Sequence, residues 1–154
     1  HPMLRSAIVL AGANQPPLNN NKNNDDDGIL TALEISNLDW QGTEMVVVSA
    51  CESAKGVAYS GDGLYGLKRA IAVAGAKSNI LALWEVDDAA TSVFMTNFYQ
   101  RLKNGETKYD ALINTQKDFR NSIIKNPDIK DDWSHPYYWA AFVLSGDWRE
   151  IDSL

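Results

Sequence analysis

Glu44-Met-Val-Val-Val-Ser-Ala-Cys-Glu-Ser53 is the stretch on which the fold turns. Its β-branched run is continuous rather than alternating, the mark of a strand buried on both faces of a parallel sheet. Asn79-Ile-Leu-Ala-Leu-Trp84 has the same character. Between the two, Leu64, Leu67, Ile71 and Ala74 recur at helical spacing and stop at Gly75. Downstream, Asp88 is expected to cap a helix with Phe94, Phe98 and Leu102 inward, ended by Asn104-Gly105. Thr107 and Asp110 open another helix, through about Ser122, with Leu112 and Phe119 inward. Tyr138–Leu144 reads as a last strand closed by Ser145-Gly146. Upstream, Ala7–Leu10 reads as a strand, and Leu30–Ile35 as a short helix with Thr31 and Glu34 in capping-box spacing. Strand and helix alternate, which predicts an α/β fold: a mainly parallel sheet with helices on both faces. Sites in such sheets lie outside the carboxyl ends of strands, here Ser49–Ser53, Glu85–Asp88 and Ser145–Trp148.

Composition narrows the chemistry. The 154 residues suit one domain, and 14 Lys+Arg against 20 Asp+Glu argue against nucleic acid as a partner. The lone cysteine excludes a disulfide framework and a cysteine-held zinc. No apolar run approaches the ~18 residues of a membrane span, and no signal-peptide layout opens the chain, so a cytoplasmic setting without a membrane partner is expected. Residues 14–28 form a polar, Asn- and Asp-rich stretch expected to be a surface loop. Within it and beyond, Asn23-x-Asp25-x-Asp27-Gly28-x5-Glu34 fits an EF-hand loop except for Asn at its first position. No entering helix precedes it, so neither a metal nor a cofactor is assigned.

Cys51 leaves its strand where a substrate could reach it, and the following N–H groups could stabilise an oxyanion. A small hydrophobe at a strand end would look the same from these residues alone. The wider pattern separates the two readings. Ser49-Ala-Cys-Glu-Ser53 after a β-branched run resembles the nucleophile motif of CHAT domains, caspase- and separase-like cysteine peptidases of bacteria often attached to tetratricopeptide repeats. The resemblance extends through Leu4-Arg5-Ser6 to Gly12-Ala13-Asn14, Gly28–Ile35, Gly61–Ala70, Ala74–Ala76, Leu83–Asp88, Phe98-Tyr99 before Gly105, and His135-Pro-Tyr-Tyr-Trp-Ala-Ala-Phe142.

The resemblance implies a caspase-like, three-layer fold and a Cys51 thiolate that attacks a peptide carbonyl of a protein or peptide substrate. A free thiol near pKa ~8.5 is only a few per cent thiolate at pH 7, so a base must stand beside it. In the family pattern that base is a histidine upstream of the stretch resembling Leu4-Arg5-Ser6. Neither His1 nor His135 matches it; both are expected to be structural or superficial. The chain therefore reads as the C-terminal portion of the domain, without its first strand or strands, and inactive by itself. Glu52, Glu85 and Asp87 are the candidates for reading a basic substrate side chain. Ser92 stands where separases carry a substrate-binding Asp, four residues beyond the position of Asp88. Two other classes compete: a non-catalytic pseudo-protease that offers its groove for protein docking, and a redox-sensing thiol protein oxidised at Cys51.

Overall fold

The computed structural model describes residues 3, 6–11, 13, 28–49, 61–125 and 132–151, which fall into two compact units. In the first, strand β1 (Ala7–Val9) pairs antiparallel with β2 (Ile29–Thr31), Ala7 opposite Thr31. Helix α1 (Ala32–Ile35) starts from the expected capping box: Glu34 N–H donates to Thr31 Oγ1 at 3.2 Å, and Thr31 N–H to the Glu34 carboxylate at 2.7 Å. Helix α2 (Gly61–Ala74) buries Leu67, Ile71 and Ala74 of the expected stripe, together with Ala70, while Leu64 is only half-buried, and the helix packs against α1. It ends where sequence periodicity ends, at Gly75 with φ +108°.

The second unit is built on β3 (Val46–Val48), β4 (Ser78–Ala82) and β5 (Phe142–Gly146), hydrogen-bonded in that order. Strands β3 and β4 are parallel, with Val47 opposite Ile80. Strand β5 is antiparallel to β4, with Ile80 opposite Leu144. The described sheet is thus mixed, where a mainly parallel one was expected. Two helices, α3 (Asp88–Lys103) and α4 (Lys108–Arg120), separate β4 from β5. Joined by a short turn, they carry the chain out and back, so it enters β5 from the end at which β4 finishes. Strand β4 is buried at all five residues, but β3 is half-buried rather than enclosed as expected. Within this unit β3 is the outer strand of three, which leaves one of its edges without a described neighbour.

Strand β5 also begins later than expected. Pro136 opens a 3-10 turn (Pro136–Tyr138), and its carbonyl accepts from Trp139 and Ala140, so the chain stays coiled to Ala141. The core between helices and sheet is aromatic: Phe94, Phe98, Phe119, Trp133 and Phe142 are all buried. The strand closes on Gly146, φ +92°, where a Cβ would come within 3.0 Å of Ser78 Cα and closer still to the Lys77 carbonyl. Gly146→Ala is expected to cost at least about 1–3 kcal/mol from backbone strain alone, read as a lower urea midpoint. An unchanged midpoint would contradict this account of the β4–β5 junction.

Candidate active site

Adjacent parallel strands finish at the same end of their sheet, and a loop leaving each can shape one site. Val48 lies opposite Leu81, so Ser49 and the segment after Ala82 leave the sheet together. Cys51 and Glu52 follow Ser49 along the chain but lie outside the described residues, as do His1 and residues 14–27. The β4 side of the site is described in full. Leu83 N–H donates to the Ala141 carbonyl at 2.9 Å, continuing the ladder. Trp84 Nε1–H donates to the Tyr137 carbonyl at 3.0 Å, which ties the strand end to the 3-10 turn. Val86 is buried, whereas Glu85, Asp87 and Asp88 are exposed.

These three carboxylates are not equivalent. Asp87 caps α3: its Oδ1 accepts from Ala90 N–H at 2.9 Å. Asp88, the expected cap, is instead the first helical residue, where its charge favours the helix dipole. Both positions precede the apolar stripe by a similar distance, so spacing alone did not separate them. Glu85 forms no hydrogen bond or ion pair with the other described residues.

His135 has the structural role expected of it. Its Nδ1 accepts from Tyr137 N–H at 3.2 Å at the start of the 3-10 turn whose Tyr137 carbonyl holds Trp84. The buttress of Trp84 by Tyr137 went unseen in the sequence. Its one signal was the indole N–H, which needs an acceptor wherever the ring is partly enclosed. The EF-hand-like stretch is described only from Gly28 onward, and there Glu34 is engaged by Thr31 in the capping box. Among the described residues, no group of three His, Cys, Asp or Glu side chains is placed to hold a metal ion, and no helix is long and apolar enough to cross a membrane.

At the opposite end of β3 and β4 lies a cluster that sequence reasoning missed. The Lys108 side chain is fully buried, with Nζ 3.6 Å from Glu44 Oε2 and 3.5 Å from the Glu44 carbonyl. Lys77 also pairs with Glu44, and Arg149 with Asp147 at 2.7 Å. The Lys77 hydrogen bond, aided by the two lysine charges, holds the Glu44 carboxyl below its ordinary 4.5. A lowered carboxyl contributes stability above its unfolded value and loses it as pH falls through the folded one. The stability this carboxyl contributes is therefore expected to decline as pH falls below 4.5, and Glu44→Gln should flatten that part of the stability–pH curve. An unaltered curve in the variant would contradict the assignment.

An open groove of about 530 Å³ runs between α4 and β5, lined by Tyr109, Gln116, Trp139, Val143 and Trp148 among others. It contains none of the described candidate residues.

The family model described as CHAT domain matches residues 1–147. Tetratricopeptide repeat protein 28 of Mus musculus is 34% identical over 125 residues, which cover 81% of this chain and 5% of that protein. The Homo sapiens protein of the same name is 33% identical over 125 residues, with the same coverage. The chain thus spans about 5% of the length of these curated relatives. Both are mammalian, whereas the resemblance implied a bacterial setting. No solved structure matches the chain significantly.

Proposed function

The chain belongs to the CHAT-domain family, and on that premise we propose that it is the thiol-bearing part of a cysteine endopeptidase with a caspase-like, three-layer fold. The observation that carries the reading is the parallel pairing of β3 and β4, which brings the segment leading to Cys51 and the Glu85–Asp88 turn to one end of the sheet. In the reaction, a base takes the Cys51 proton and the thiolate adds to the scissile carbonyl carbon. The tetrahedral adduct expels the amine, which leaves with that proton, and water then hydrolyses the thioester. We propose that the base is the histidine of the family pattern, a part proposed for neither His1 nor His135.

Glu85, with Glu52 and Asp87, is proposed to receive a basic side chain of the protein substrate. Glu85 suits the part best because it is exposed and has no described partner, whereas Asp87 is committed to its cap. The test is a parent chain carrying the histidine, assayed on arginyl, lysyl and aspartyl peptide reporters. Basic reporters should be preferred, and Glu85→Gln should lower kcat/KM on them by about tenfold, the worth of one charged hydrogen bond. Equal turnover of aspartyl reporters would overturn the basic-substrate reading.

One observation favours a second reading. The α4–β5 groove exposes Trp148 and Tyr109, and aromatic side chains of this kind are common at protein interfaces. On that reading the chain is a non-catalytic docking module, and both relatives carry tetratricopeptide repeat in their names. A parent that binds a protein partner equally well with Cys51→Ala, and cleaves nothing, would select it.

A further inference from the structure

Strand β3 is Val46-Val47-Val48. Three identical residues cannot specify their own register, because a shift by one position replaces valine with valine at two of three places. Register normally follows from side chains that differ in size or polarity, and a one-residue slip inverts every side chain and moves the strand by about 3.3 Å. Something outside β3 must therefore hold it opposite Asn79, Ile80 and Leu81.

We infer that Glu44, gripped by Lys108, Lys77 and Ser78, is the register clamp that positions the nucleophile strand; as a statement about catalysis this rests on Cys51 being the nucleophile. Glu44 lies two residues before β3, and both its carboxylate and its carbonyl are held. Ser78 Oγ donates to the Glu44 carbonyl at 2.7 Å, from the first residue of β4. Lys77 N–H donates to the Thr43 carbonyl at 2.9 Å, and the Lys77 ammonium pairs with the Glu44 carboxylate. Lys108 reaches both Glu44 groups from the start of α4. Its burial has a cost that an apolar residue of like shape would avoid, so the contribution it makes is specificity of register rather than bulk stability. Each residue of slip would break the Ser78 and Lys108 contacts together, a penalty that the valines themselves cannot impose. Cys51 follows Val48 by three residues, so an error of register at β3 is passed along the chain to the thiol.

The test uses the 154-residue chain and reads register directly, independently of peptidase activity. In the unaltered protein, inter-strand amide NOEs should link Val47 with Ile80. In Glu44→Ala/Ser78→Ala/Lys108→Met, which removes the clamp and its buried charge together, these NOEs should be lost, or joined by ones shifted by one residue. The alkylation rate of Cys51 by iodoacetamide should change with them, and Lys108→Arg alone should keep the native pattern. If the triple variant does not fold, Glu44→Gln is read in the same way, with weakening of the Val47–Ile80 NOEs expected. Native NOEs at full intensity in every folded variant would overturn the clamp. Native register without peptidase activity in the parent would instead count against the catalytic reading alone.

Discussion

Replacing Phe94 with alanine is expected to lower the unfolding free energy by about 3–5 kcal/mol, a large share of the 5–15 typical of a small domain. Phe94 sits in the middle of α3 with no exposed surface. Its ring stacks on Phe142 of β5 at 4.4 Å and tilts against Phe119 of α4 at 5.4 Å. Phe119 stacks in turn on Trp133 at 5.8 Å, so one side chain joins two helices, a strand and the segment before the 3-10 turn. Truncation removes the transfer energy of the ring and leaves a cavity walled by other rings, which cannot collapse far into it. Phe94→Leu keeps much of the volume and should cost clearly less. Urea unfolding of the two variants measures the difference; a loss below about 1 kcal/mol for alanine would show the core to be centred elsewhere.

The second large effect concerns chemistry. In a parent chain that supplies the histidine, Cys51→Ala is expected to reduce kcat by roughly 10⁴–10⁶, the scale seen when a nucleophile acting as one unit with its base is removed. The thiolate forms the only covalent bond to substrate in the proposed mechanism, and alanine offers no substitute. Cys51→Ser should also fail, because a hydroxyl needs stronger activation than a thiol with the same base. Activity within tenfold of the unaltered parent would transfer the chemistry to another residue.

The parts of this protein legible in the sequence are those written in local spacing. The inward stripes of α2, α3 and α4, the Thr31–Glu34 capping box and the stop at Gly75 follow from helical periodicity and cap chemistry within a few residues. The misreadings are non-local. Pairing of β2 with β1 bridges residues 14–27 and leaves no mark in Ile29-Leu30-Thr31 itself. The direction of β5 depends on α3 and α4 acting as a pair, and its start on the Pro136 turn. Lys108 carries no local sign of its burial, because the partner it reaches, Glu44, lies 64 residues earlier in the chain. For the site, the acidic turn was legible, but the division of labour between Asp87 as cap and Glu85 as exposed carboxylate emerged only with hydrogen bonds in place. Cys51 and Glu52 rest on family membership and strand order, since they lie outside the described residues.

The most direct measurement is covalent capture of the nucleophile. An arginyl peptide carrying an acyloxymethyl ketone, incubated with the parent chain, should alkylate a single residue, located by peptide mass spectrometry. A thioether on Cys51 is expected, formed faster than with an aspartyl analogue and blocked by excess substrate peptide. Reporter cleavage that continues while Cys51 remains unmodified, or label found on another side chain, would contradict it.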